Sequence, residues 1–110
     1  MKAILIDAAK EKVLGIELES GKDVDKAFAG FHKFVDVSLG VFVIDGSNLL
    51  MYDEMGVLNN PATYFHFNGF RRPLYGRGLI LGINDNGHTS TTLTAKQVVS
   101  SVKFHGLGAE

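Results

Sequence analysis

The chain has 110 residues, of which 45% are hydrophobic and 21% charged, an ordinary composition for one globular domain. It contains no cysteine, which excludes a disulfide scaffold, a thiolate zinc site and a cysteine nucleophile. The net charge of −1 argues against generic nucleic-acid binding. No apolar run reaches the ~20 residues of a membrane span, and the apolar start is too short for a signal peptide. We expect one cytoplasmic domain over residues 1–105, a flexible tail over 106–110 and no membrane partner.

The first third of the chain predicts a hairpin followed by a helix. Residues 2–6 and 13–19 are short β-rich segments, and the polar sequence DAAKEK between them forms a turn. Asp23 then has the position of a helix cap, and Gly30 that of a stop. The apolar residues between and just beyond them have the spacing i, i+3, i+4, i+7 of one helix face. These residues are Val24, Ala27, Phe28 and Phe31.

The middle of the chain predicts a series of short strands. Residues 34–39, 41–44 and 48–52 are β-rich and are separated by Gly40 and by the turn dipeptide Asp45-Gly46. Residues 64–68 alternate, with Phe65 and Phe67 on one side and Tyr64, His66 and Asn68 on the other. This alternation indicates a strand with one buried face.

The last third predicts a central strand, a second helix and a final strand. Residues 79–83 are a predicted strand that begins with the apolar run 79–81, and 84–87 form a turn. Thr94 and Gln97 have the spacing of a capping box, so a helix begins near Thr94. Residues 103–105 are a last short strand. The order of the elements indicates an α+β domain, a mostly antiparallel sheet with two short helices packed on it.

Residues 70–82, FRRPLYGRGLILG, contain all three arginines of the protein, Arg71, Arg72 and Arg77. Pro73 and two glycines fix an irregular turn, and such a loop on a rigid strand often carries binding residues. Guanidinium groups beside aromatic rings bind phosphate, carboxylate or an acidic protein surface. We therefore predict a binding surface on this loop, formed by Arg71, Arg72, Tyr75 and Arg77 with His66 beside it. In the alternative interpretation the arginines pair internally with Asp45, Asp53 or Glu54.

Motifs for catalysis or for a cofactor are not found. Gly76 and Gly78 do not begin a dinucleotide fingerprint, because the next glycine is one residue late and a strand follows in place of a helix. The histidines lack metal-ligand spacing, and His66 and His88 are the only candidates for acid–base chemistry. We predict no catalytic residues, no metal and no cofactor.

Three segments read in order, MKAILID, PLYGRGLILG and TLTAKQVVSSVKF, resemble a family of small uncharacterised proteins encoded mainly by phages and mobile elements. That family is catalogued as a domain of unknown function. The resemblance covers the chain from Met1 to about Phe104, and PLYGRGLILG is its most specific part. It implies a phage or mobile-element origin, hence the host cytoplasm, and it implies no catalytic residues.

The sequence thus predicts a small non-enzymatic protein that contacts a host protein through its arginine-rich loop. A module that uses the same loop to bind nucleic acid or a phosphate ligand is the alternative. An unrecognised enzyme is a further alternative, and it would require a pocket that holds His66 or His88 beside a carboxylate. Exposed strand edges would also allow a homodimer by sheet extension.

Overall fold

The structure, a computed structural model, describes residues 1–19, 24–28 and 38–106. Within these ranges the chain forms nine strands and three short helices. In chain order they are β1 (Lys2–Asp7), β2 (Lys12–Glu17), α1 (Val24–Ala27), β3 (Leu39–Val43), β4 (Asn48–Asp53), α2 (Gly56–Asn59), β5 (Thr63–Phe67), β6 (Leu74–Tyr75), β7 (Arg77–Asn84), β8 (Gly87–Thr89), α3 (Ala95–Val99) and β9 (Val102–Gly106).

The described strands form two antiparallel sheets. The larger sheet has the order β2-β1-β7-β4-β3, and β8 pairs with the end of β7. The smaller sheet has the order β6-β5-β9. The predicted fold class is confirmed, since the protein is α+β with mostly antiparallel sheet and short helices.

The predicted central strand is β7, which lies between β1 and β4. Successive side chains of a strand point to opposite faces of the sheet, so an uninterrupted apolar run fits a strand that is covered on both sides. Ile80 lies in one hydrophobic core, and Leu79 and Leu81 lie in the other. All three are fully buried.

The two cores lie on opposite faces of the larger sheet. The first lies between the two sheets and includes Phe65 and Phe67 of β5, the residues predicted to face inward. The second lies beneath α1, whose Val24 and Ala27 pack on the larger sheet together with Phe28. The smaller sheet therefore has one face against the first core and one outer face.

The predicted helices at Val24 and Thr94 are both found. In α3 the capping box is complete: the Gln97 backbone N–H donates to Thr94 Oγ1 at 3.2 Å, and the Thr94 N–H donates to Gln97 Oε1 at 2.8 Å. The one-turn helix α2 was not predicted. Gly40 does not separate two strands as predicted, because β3 runs through it. A side chain at this position would collide with the Tyr52 ring.

Several sequence predictions concern residues outside the described ranges. They are the cap at Asp23, the helix stop at Gly30, the apolar position of Phe31, most of the segment 34–39 and the tail beyond residue 106.

Candidate functional site

The arginine-bearing loop connects β5 to β6 over residues 68–73 and is called the arginine loop below. Its first bend is made by Gly69, which has a φ of 90°, and by a hydrogen bond from the Phe70 N–H to the Phe67 carbonyl at 2.9 Å. Leu74 anchors its far end in the first core. Arg71 and Arg72, between these anchors, are exposed. The loop is thus short, fixed at both ends, and charged at its tip.

Arg72 lies against an aromatic ring. Its guanidinium carbon is 5.5 Å from the centroid of the Phe70 ring, which is within the range of a cation–π contact. The Phe70 ring packs edge-on against Phe42 and Tyr52, with centroid distances of 5.2 Å in both pairs. Rings from β3 and β4 therefore hold Phe70, and Phe70 restricts Arg72.

Arg77 does not share this environment, although it was predicted to lie on the same surface as the other two arginines. It lies in β7, and its Nε is 3.4 Å from Oδ2 of Asp7, a buried carboxylate in β1. Its Nη1 also donates a hydrogen bond to the Ala27 carbonyl at 3.0 Å. The Arg77 side chain is 21% exposed. Asp7 is thus an internal ion-pair partner of this arginine, and it is none of the three carboxylates that the alternative interpretation named.

The two glycines of the predicted Gly-x-Gly bend have different roles. Gly76 has a φ of 86°, a conformation that favours glycine, and its carbonyl accepts from the Ala8 N–H at 3.0 Å. Gly78 is required for packing, because a Cβ there would lie 2.9 Å from the Phe65 ring and 3.0 Å from Leu50. The bend at Gly76 carries the chain from the smaller sheet into the larger one.

A cleft opens between the arginine loop and α2, and it is called the α2 cleft below. Its volume is about 260 Å³. One side is formed by the loop and β6, and the other by α2 and the end of β4. The lining residues are Tyr52, Asp53, Glu54, Val57, Phe70, Arg72, Pro73, Leu74 and Tyr75.

The carboxylates of this cleft do not neutralise the arginines. Asp53 is buried, and its oxygens accept hydrogen bonds from the Ser38 N–H at 3.1 Å, the Met55 N–H at 2.9 Å and Asn59 Nδ2 at 2.9 Å. Within residues 1–19, 24–28 and 38–106, Arg71 and Arg72 take part in no ion pair. Two of the three predicted guanidinium groups are therefore available to an external anion.

The outer face of the smaller sheet carries a cluster of four rings, which is called the ring cluster below. Tyr64 stacks on His105 across β5 and β9, with a centroid distance of 5.0 Å and an interplanar angle of 14°. Tyr75 of β6 lies 5.2 Å from Tyr64 on its other side. His66 meets His105 edge-on at 4.9 Å.

The ring cluster contains two predicted site residues, His66 and Tyr75, and two residues that were not predicted, Tyr64 and His105. The alternation of residues 64–68 already indicated that Tyr64 shares the outer face with His66. His105 could not be identified in this way, because only the pairing of β9 with β5 brings it there. His66 and Phe70 also line a groove together with Lys103, so the ring cluster and the arginine loop are neighbours.

The second candidate for acid–base chemistry, His88, lies outside the arginine loop and the ring cluster. It is exposed and lies in β8, which pairs with the end of β7. The described part of the chain contains no group of three or more metal-binding side chains of the His, Cys, Asp and Glu types. None of its helices is long and apolar enough to span a membrane.

Comparison with protein-family models, with curated proteins and with solved structures yields no match. The chemistry of the arginine loop, the α2 cleft and the ring cluster is therefore the basis for a functional proposal.

Proposed function

We propose that this protein is a non-enzymatic binding module that contacts an acidic surface of a partner protein through Arg71 and Arg72. The observation that carries the proposal is that both guanidinium groups are exposed, without an ion pair in the described part of the chain, beside the α2 cleft. Following the family resemblance, we propose that the protein is of phage or mobile-element origin and that its partner is a host protein.

Preorganisation of Arg72 supports this proposal. Arginine is enriched among the residues that dominate protein–protein binding energies, as is tyrosine, and its planar group binds carboxylates in a bidentate manner. Restricting a long side chain before binding lowers the entropy lost on association. The contact of Arg72 with Phe70 provides such a restriction. Charge complementarity would then raise the association rate and select against basic partners.

The test is a comparison of two double variants in a pull-down from host lysate. Arg71→Ala with Arg72→Ala removes two positive charges from the loop, and Lys10→Ala with Lys12→Ala removes two exposed positive charges from the β1–β2 hairpin. We expect the wild type and the lysine variant to retain the same partner and the arginine variant to lose it. An unchanged partner in the arginine variant would contradict the proposal.

A second candidate function, binding of single-stranded nucleic acid, is favoured by one observation. On the outer face of the smaller sheet, His66 is exposed beside the half-buried stack of Tyr64 and His105, and Lys103 lies opposite His66 on the neighbouring strand. Bases stack on such rings, with about 1–3 kcal/mol per base. Arg71, Arg72 and Lys103 would supply the phosphate contacts.

Salt dependence separates the two candidates. Three phosphate contacts to a single strand give a slope of about −2 in log affinity against log salt, or roughly a 15-fold loss between 50 and 200 mM. The measurement is the fluorescence anisotropy of a labelled oligothymidylate. Binding with that slope, weakened by Tyr64→Ala, would establish the second candidate, and absence of binding would leave the acidic protein partner.

A further inference from the structure

We propose that the α2 cleft receives an apolar side chain of the partner, and that a carboxylate on one flank of this side chain binds Arg72. This inference rests on the proposed function and adds the chemistry of the segment that the partner inserts. The occupant is thus a short acidic–apolar segment of a protein, with the apolar residue as its anchor.

The size of the cleft favours a single side chain. Its volume of about 260 Å³ lies below the roughly 300–1,000 Å³ that is typical of small-molecule sites. Partner proteins commonly anchor one large side chain in a pocket of this kind, at the centre of the interface.

The walls of the cleft are largely apolar. Phe70, Pro73 and Leu74 form the side that belongs to the arginine loop and β6. Val57 of α2 forms part of the opposite side and is 52% exposed, and Leu58, the next residue, is 49% exposed. The exposed Val57 side chain would lose water contact if a partner side chain were inserted, which favours binding.

The charges of the cleft determine which flanks the inserted residue can have. Asp53 is satisfied by its three internal donors, so it does not compete for Arg72. Arg72 is the cationic group of the lining, and Glu54 is its exposed carboxylate. A partner carboxylate is therefore attracted towards Arg72 and repelled from Glu54, so only one flank of the apolar residue should be acidic.

The α2 side of the cleft is held in place. Gly56 packs so closely on Tyr75 that a Cβ would lie 2.5 Å from its carbonyl oxygen. Asn59 is fully buried and donates to Asp53 from the other end of the helical turn. A cleft with fixed walls needs little reorganisation when it binds.

The test uses two synthetic peptides and NMR spectroscopy. One has the sequence Gly-Glu-Phe-Gly-Ser and the other Gly-Gln-Phe-Gly-Ser, both with blocked termini. We expect the Glu peptide to shift the Val57 methyl signals and the amide signals of residues 70–72, 74 and 75. The Gln peptide should bind about 3- to 5-fold more weakly, as expected for loss of a largely exposed charge pair. Arg72→Gln should abolish the difference between the peptides.

Matched variants test the position of the site. Val57→Asp places a carboxylate at the cleft, whereas Val99→Asp places one on α3, where the valine is 55% exposed and lies outside the cleft lining. We expect only Val57→Asp to lose binding of the Glu peptide. Should Val57→Asp fail to fold, the inference is decided by whether Arg72→Gln binds the Glu and Gln peptides equally.

The possible failures are distinguishable. If the arginine double variant loses the host partner in the pull-down while Val57→Asp keeps it, the proposed insertion of an apolar side chain is wrong and the proposed function stands. If the arginine variant keeps the partner, the proposed function itself is wrong. Peptide-induced shifts elsewhere, or equal binding of both peptides, would overturn the inference. Shifts of the cleft signals with protein concentration alone would also overturn it, in favour of a second copy of the chain.

Discussion

The guanidinium carbon of Arg72 lies 5.5 Å from the centroid of the Phe70 ring. The ring itself is held between Phe42 and Tyr52. An exposed cation–π contact contributes about 0.5–1 kcal/mol, which is enough to restrict a side chain but not to fix it. This pair is what distinguishes Arg72 from a freely moving surface arginine.

The Arg72–Phe70 contact predicts an NMR signature. Protons of Arg72 near the ring face should show upfield ring-current shifts in the wild type. Phe70→Leu keeps an apolar side chain but removes the ring, so these shifts should vanish. The Arg71 side chain serves as the internal reference. Arg72 signals that are identical in the wild type and in Phe70→Leu would show that the contact is not populated in solution.

Arg77 and Arg71 should differ sharply in their contribution to stability. Arg77→Leu leaves the buried Asp7 carboxylate without its cationic partner, so we expect the free energy of unfolding to fall by about 2–3 kcal/mol. Arg71→Leu changes an exposed residue and should stay within about 0.5 kcal/mol of the wild type. Urea denaturation measures both. Equal effects of the two substitutions would contradict the internal role of Arg77.

Replacing Asn48 should also lower the free energy of unfolding, because this residue is 1% exposed and its side chain connects β4 to residues 91 and 92. Its Oδ1 accepts from Thr91 Oγ1 at 2.5 Å and from the Thr92 N–H at 3.1 Å, and its Nδ2 donates to Thr92 Oγ1 at 2.8 Å. Asn48→Ala leaves these groups without partners and should cost about 2–3 kcal/mol. Asn86→Ala, in the exposed turn before β8, is the control and should cost less than about 0.5 kcal/mol by the same denaturation measurement. A small effect at Asn48 would show that this network is not formed.

Asp45 predicts part of the pH dependence of stability. The backbone N–H of Ser47, with the Asn48 side chain as the next contribution, lowers the pKa of this carboxyl below 3.8. Because this pKa is lower in the folded than in the unfolded protein, the ionised carboxylate stabilises the folded state. This stabilisation is complete above pH 3.8 and is lost as the pH falls through the pKa of the folded protein. The difference in free energy of unfolding between the wild type and Asp45→Asn should thus be constant near neutral pH and shrink below about pH 4. A difference that grows on acidification would have the wrong sign.

The close packing of Gly56 on β6 should control both the stability of the protein and the position of α2 at the α2 cleft. Gly56→Ala forces α2 away from the Tyr75 carbonyl, so we expect about 1–3 kcal/mol of destabilisation and shifted Val57 signals. Gly46→Ala is the matched control, because a Cβ at that position would have no neighbour within 4 Å. Thermal unfolding compares the two variants. If both are neutral, the close approach of α2 to β6 is not present in solution.

Much of the fold follows from local patterns in the sequence. The apolar run of residues 79–81 predicted a strand covered on both faces, and β7 is that strand. The spacing of Thr94 and Gln97 predicted the start of α3, because both groups of a capping box lie within one helical turn. The alternation of residues 64–68 predicted which face of β5 is buried. The prediction that Gly40 separates two strands was wrong. Glycine stands at this position because a side chain would collide with the Tyr52 ring on the neighbouring strand.

The composition of the arginine loop was likewise evident from the sequence, but the roles of its residues were not. Hydrophobic period and capping spacing act between neighbours in the chain, so the sequence alone determined the strands, the helix start and the position of the charged loop. Only the tertiary structure decided that Arg77 meets Asp7, that His105 joins Tyr64, and that α2 closes a cleft beside Arg72. The physical reason is that each of these contacts joins segments far apart in the chain, and pairing and packing of the sheets, not local propensity, bring such segments together.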